Sequence, residues 1–127
     1  MTDQITGTDP AKKGVVHLTT GDFQQSVSSA GMPVFVDFYA DWCGPCKLAE
    51  PVINKLATEF EGKVLMAKVN VDEQNDVARQ YGVMSIPTVV ILQQDGDKIK
   101  ELDRKIGFPG EEGYRQMLKK VVPASKD

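Results

Sequence analysis

Between Pro33 and Ala40 almost every residue is apolar or aromatic, and the run ends directly on Asp41-Trp42-Cys43-Gly44-Pro45-Cys46-Lys47. A short, almost uninterrupted apolar run reads as a strand buried on both faces, and such a strand needs helices packed on either side. Pro33 to Ala40 is thus the candidate central strand, and the chain beyond it must turn at once into a helix. From Pro45 the spacing predicts a helix to about Phe60, with Leu48, Val52, Leu56 and Phe60 as an i, i+4 stripe and Gly62 as its stop. Pro51 falls inside that helix, removes a backbone donor and crowds the carbonyl of Lys47, so a kink is expected near Lys47 to Pro51.

The remaining elements alternate in kind. Val15, Val16 and Leu18 suggest a short first strand, and Thr19-Thr20-Gly21-Asp22 reads as a capping box for a helix carrying Phe23, Val27 and Ala30 on one face. Val64 to Val71 is the next strand, after which Asp72 is expected to cap a short helix with Val77, Ala78 and Tyr81. Pro87 to Leu92 gives a further strand, and Asp95-Gly96 signals a hairpin into an antiparallel last strand. Ile99, Leu102 and Ile106 break a period of two, which suggests a bulge there. Tyr114, Met117, Leu118, Val121 and Val122 mark a closing amphipathic helix, with Glu111 and Glu112 at its start and Lys119 and Lys120 at its end. Strand and helix in alternation indicate an α/β fold with a mixed sheet. One domain is expected over 14–123, with a flexible N-terminal tail, 1–13, and a C-terminal tail, 124–127.

Composition removes several function classes. A net charge of -3, with dispersed lysines, offers nucleic acid no basic surface. The polar N-terminus lacks the apolar core of a signal peptide, and nowhere do about 18 apolar residues run together, so a cytoplasmic protein without a membrane span is expected. Two cysteines are too few for a disulfide scaffold, and a bridge closing so short a segment would hardly restrict the unfolded chain. A closed zinc site wants four ligands, whereas the chain supplies Cys43, Cys46 and a distant His17, which reads as an ordinary strand residue. No metal is expected.

The two cysteines read instead as a redox pair. Positions three apart share a helix face, so Cys43 and Cys46 can close a disulfide and open it again. Cys43, at the helix N-terminus, faces unpaired N–H groups and the positive end of the helix dipole, which favour its thiolate. It is expected to be exposed and to attack. Cys46, one turn inside and covered by the apolar strand, is expected to resolve the mixed disulfide. Gly44 permits the tight turn, and Pro45 suits the first helical turn, where its missing N–H has no partner in any case. Asp37 interrupts the apolar run; desolvation would raise its pKa and make it a proton acceptor for Cys46. Lys68 interrupts the strand from Val64 in the same manner, and the two charges could pair if their strands are adjacent.

Trp42-Cys43-Gly44-Pro45-Cys46-Lys47, read with Val36-Asp37-Phe38-Tyr39-Ala40 and the later Ser85-Ile86-Pro87-Thr88, resembles the thioredoxin family over about Val15 to Val122. The resemblance implies a central five-stranded mixed sheet flanked by four helices, a cis Ile86-Pro87 bond beside the dithiol, Asp37 as the buried carboxylate, Lys68 as its neighbour and Pro51 as the kink. It implies a client-binding shelf of Trp42, Ile86, Pro87, Ile106 and Gly107, engaged partly through backbone hydrogen bonds. The implied activity is protein-disulfide reduction through a mixed disulfide, with no bound cofactor beyond the Cys43–Cys46 disulfide. Implied partners are disulfide-bearing client proteins and an NADPH-dependent flavoprotein, thioredoxin reductase; neither nucleic acid nor membrane is implied, and a monomer is expected. The alternatives on the same fold are a thiol oxidase or isomerase, a relative dedicated to one client, and a non-catalytic binding subunit. Three features depart from the family pattern: Tyr39 where a second tryptophan is common, a Gly96 to Gly107 segment about three residues longer, and the stretch Gly107-Phe108-Pro109-Gly110.

Overall fold

A computed structural model describes residues 14–122; the expected tails at 1–13 and 124–127 lie outside the described residues. The elements run β1 (Val16–His17), α1 (Phe23–Ser29), β2 (Val34–Tyr39), α2 (Gly44–Glu59), β3 (Leu65–Asn70), α3 (Asn75–Gln80), β4 (Thr88–Asp95), β5 (Lys98–Ile106) and α4 (Glu111–Val121). They form one five-stranded mixed sheet of order β1-β3-β2-β4-β5, with β1 and β2 parallel to β3, and β4 antiparallel to both β2 and β5.

The central strand explains the layers. Side chains alternate across a sheet, so Val34, Val36 and Phe38 pack on the face shared with Phe23, Val27, Val77 and Ala78 of α1 and α3. Phe35 packs on the other face with Ile53 and Leu56 of α2 and Tyr114 and Leu118 of α4. Asp37 lies on Phe35's face by the same alternation, which puts its carboxylate toward α2 rather than α1. The two helices of that face are also tied by charge: Arg115 of α4 donates to Glu59 of α2 at 2.7 and 2.8 Å, and Lys55 pairs with Glu111 at 2.8 Å.

Three local expectations are corrected. Leu48 is 67% exposed, and the buried residues of α2 are Cys46, Ala49, Ile53, Leu56 and Ala57. Strict i+4 steps drift about 40° each on a helix of 3.6 residues per turn, so a stripe anchored at Leu56 passes through Ala49 and leaves Leu48 about 80° to one side. Thr19 and Asp22 do exchange the reciprocal backbone-to-side-chain bonds of a box, at 2.7 and 3.2 Å, but they close the turn before α1; Asp22 itself is the N-cap residue. Asp72 caps no helix, since α3 starts after Gln74 and the side chain of Asn70 accepts from the backbone of Asp72 and Glu73. Helix α2 continues through Pro51.

The hairpin turns on Gly96 and Asp97, Asp95 pairing with Lys98. The expected bulge is present: Ile91 pairs with Asp103 and Leu92 with Glu101, so Leu102 is the extra residue. Ile99 packs on one core and Leu102 on the other, as positions three apart in a strand do, and the extra residue reverses the facing of the residues that follow it. Beyond β5, Gly110 adopts φ 89° and ψ 170°, a conformation essentially confined to glycine. Phe108 then packs against Tyr114, their ring centroids 5.5 Å apart.

Gly113 faces Pro109 across this corner, and a Cβ there would lie 2.5 and 2.7 Å from the proline ring carbons. In an open helix Gly→Ala gains about 1 kcal/mol. Against a ring that cannot rotate away, overpacking outweighs the gain, and Gly113→Ala is expected to destabilise the fold by about 1–2 kcal/mol net. Urea unfolding checks this; a raised midpoint would show that the corner yields.

Candidate active site

The C-terminal ends of β2, β3 and β5 and the N-terminal end of β4 meet at one end of the sheet, and the residues of chemical interest converge there. The chain leaves β2 at Tyr39 and enters α2 at Gly44, with Cys43 as the N-cap residue in extended conformation (φ -87°, ψ 115°) and Pro45 in the first turn. Cys43 and Cys46 are joined by a disulfide, their Cα atoms 5.3 Å apart. The backbone N–H of Cys46 donates to Cys43 Sγ at 3.2 Å. A helix N-terminus leaves its first N–H groups without intrahelical partners, and here the sulfur of Cys43 takes one of them.

The expected contrast between an exposed Cys43 and a covered Cys46 is not observed: they are 4% and 5% exposed. The disulfide draws both sulfurs into a small cluster with Ala40, against which Tyr39, Val71 and Ile86 pack. Burial therefore does not distinguish the two cysteines in this form, whereas position in the helix does.

Asp37 is 1% exposed, and its Oδ1 accepts no hydrogen bond among the described residues. Desolvation raises its pKa to about 7, against a smaller lowering by the charge of Lys68. Asp37 and Lys68 are register partners on β2 and β3, as expected, but they form no ion pair. The Lys68 ammonium instead lies 3.5 Å from Glu50 Oε2 and 4.3 Å from the centre of the Tyr39 ring. An ammonium over an aromatic face is attracted to its electron density, so Tyr39 has an evident partner at the position where it departs from the family pattern. Asp37, Cys46, Lys68, Glu50, Tyr39 and His17 all line one pocket of about 250 Å³.

A carboxyl whose folded pKa exceeds its unfolded value contributes least at high pH. Below about pH 4 Asp37 is protonated in both states; from there to about pH 7 the unfolded chain ionises first and stability falls; above 7 the full penalty applies. Asp37→Asn in the oxidised protein should therefore be no more stable than the parent at pH 4, yet more stable at pH 8 by a few kcal/mol, about 4 at most. Urea unfolding at both pH values checks this, and parallel curves would count against an uncharged Asp37.

The proposed shelf residues lie at the same end of the sheet as the disulfide. Ile86 touches its cluster, the Ile86-Pro87 bond is cis, and Thr88 pairs with Ile106. The Gly107 N–H donates to the Pro87 carbonyl at 2.8 Å. Trp42 is 69% exposed, and its indole N–H donates to Asp72 Oδ2 at 2.7 Å. Met84 and Leu48 are likewise exposed large apolar side chains. Glu50 escapes a reading of the sequence, although it stands four residues after Cys46 and so shares its helix face; Asp72 carries no sequence signal for its bond to Trp42.

Comparison with known proteins decides the family. The family described as Thioredoxin matches residues 14–109. The chain belongs to the thioredoxin family. It is 42% identical over 103 residues to thioredoxin 1 of Nostoc sp., covering 81% of this chain and 92% of the relative. With the thioredoxin of Mycobacterium tuberculosis it shares 38% identity over 116 residues, 91% of this chain and 97% of the other. The structure of Trichomonas vaginalis thioredoxin superposes with a TM-score of 0.76 at 30% identity, covering 88% of this chain and 97% of that one. Family membership and the Cys43–Cys46 pair give this thioredoxin a thiol-disulfide reductase function. Among the described residues no group of three or more His, Cys, Asp or Glu side chains could hold a metal ion, and no helix is long and apolar enough to cross a membrane.

Proposed function

We propose that this thioredoxin reduces disulfides in client proteins, with Cys43 as attacking and Cys46 as resolving cysteine. The observation that carries the assignment is the N-cap geometry: the Cys46 N–H points at Cys43 Sγ, and in the reduced protein the same donor and the helix dipole favour a thiolate at Cys43. That thiolate attacks one sulfur of the client disulfide, forming a Cys43–client bond and releasing the other client sulfur as a thiolate, which takes up a proton. Cys46 then gives its proton to the Asp37 carboxylate and attacks Cys43 Sγ. The Cys43–Cys46 bond forms, the Cys43–client bond breaks, and the electron pair leaves on the client sulfur, which takes up the second proton as Asp37 gives up the one it received. The client gains two electrons and two protons, and the protein leaves oxidised.

Trp42, Ile86, Pro87, Ile106 and Gly107 form the shelf that receives the client, with apolar contacts beside backbone groups available for strand-like pairing. Gly44 and Pro45 fix the turn that presents Cys43, and Pro51 shapes the helix behind it. The disulfide is the redox group, so a separate flavoprotein, thioredoxin reductase drawing on NADPH, returns the pair to the dithiol. A monomer in the cytoplasm, where the surroundings keep thiols reduced, suits this cycle. Equilibration against glutathione buffers is the test. A midpoint more reducing than the glutathione couple is expected for a reductase, and a more oxidising one would point to an oxidase or isomerase.

A further inference from the structure

Asp37 is buried in the pocket behind Cys46 with a carboxylate oxygen that no described group bonds, while Lys68 beside it on β3 makes its ion pair with Glu50 and none with Asp37. Were the ammonium paired with Asp37, the carboxylate would be held ionised and would be a weak base. The structure provides a competitor. Glu50 is exposed at the pocket mouth, takes the ammonium at 3.5 Å, and lies one helical turn after Cys46 on the same face of α2. The Tyr39 ring, 4.3 Å from the same nitrogen, supports that outward placement.

We propose that Glu50 is a positioning residue for the resolving step: by holding the Lys68 ammonium at the pocket mouth it keeps that charge from Asp37, and so governs how readily Asp37 takes the Cys46 proton. The inference rests on the reading of Asp37 as proton acceptor. Around Asp37 the ionisable groups are Lys68 on β3, Glu50, Lys47 and Cys46 on α2, and His17 on β1. Tyr39 of β2, Asp41 just beyond it and Tyr114 of α4 complete the set. Burial raises both tyrosines, so neither carries charge near neutrality. Lys47 and Asp41 are exposed, where solvent and salt weaken their reach. Lys68 and Glu50 are the charges that act on Asp37 after its own burial, with opposite signs: the lysine lowers its pKa and the glutamate raises it.

The test is a carbon-13 titration of the Asp37 carboxyl in the full-length oxidised protein, in which the cysteines do not titrate. In Glu50→Gln the freed ammonium turns toward Asp37, and the midpoint should fall by about one pH unit, in the range a nearby opposite charge produces. In Lys68→Met the midpoint should rise. In the Lys68→Met background, adding Glu50→Gln should produce a clearly smaller shift than it produces alone, because only the glutamate's own field then remains and the part relayed through the lysine is gone. An unchanged midpoint in Glu50→Gln overturns the proposal, as does an equal shift in both backgrounds, which would mean that Glu50 acts by its own field. The pH profile for release of a preformed mixed disulfide tests the underlying reading separately. Rate midpoints that track the titration midpoints support the whole scheme. A titration that moves while the rate profile stays would remove Asp37 from the proton transfer and leave the Glu50–Lys68 control of its ionisation standing.

Discussion

Cys43→Ser is expected to abolish reduction of insulin disulfides, lowering the turbidity rate by about a thousandfold or more, because a serine hydroxyl without a base is not a nucleophile toward sulfur at neutral pH. The substitution separates chemistry from folding. Serine is among the preferred N-cap residues, so the introduced hydroxyl can accept the Cys46 N–H as the sulfur does now, and the reduced variant should unfold near the reduced parent. Activity that survives in a folded Cys43→Ser protein would refute the attacking role. Loss of activity together with collapse of the fold would point to packing in the cluster around Ala40 instead.

Cys46→Ser should fail differently. The first attack still has its thiolate at Cys43, so one client binds covalently, but no second sulfur displaces it. Multiple turnover should drop as far as for Cys43→Ser, while non-reducing gels show a persistent adduct that dithiothreitol dissolves. Since the two sulfurs are equally covered in the disulfide form, this asymmetry of trapping is what assigns the order of attack. If Cys43→Ser trapped clients and Cys46→Ser did not, the order would be reversed. Mass spectrometry of trapped adducts would also name the clients.

Much of the fold and site is legible in the residues because each signal is local. The run from Val34 to Tyr39 identifies the central strand, the break in period two across Ile99, Leu102 and Ile106 coincides with the bulge, and Cys43 with Pro45 locates the start of α2. What escapes depends on geometry between elements. Leu48 looks buried only when the stripe is read at a strict period of four. Lys68 looks like the partner of Asp37 because register makes them neighbours, yet side-chain reach favours Glu50 on another element. Asp72 looks like a cap, and only the fold brings Trp42 to it. The stretch Gly107 to Gly110, unusual in sequence, is a packed corner whose partners, Tyr114 and Gly113, lie in the next helix.

The bond between Trp42 and Asp72 has a practical consequence. This is the chain's single tryptophan, adjacent in sequence to Cys43 and tethered by its indole nitrogen to the turn after β3. Disulfides quench indole emission by accepting an electron from the excited ring, and a tethered ring next to one has little freedom to escape. Fluorescence from this protein is therefore an intrinsic gauge of its own oxidation state, undiluted by any other emitter of its kind, and each turnover can be timed without a label.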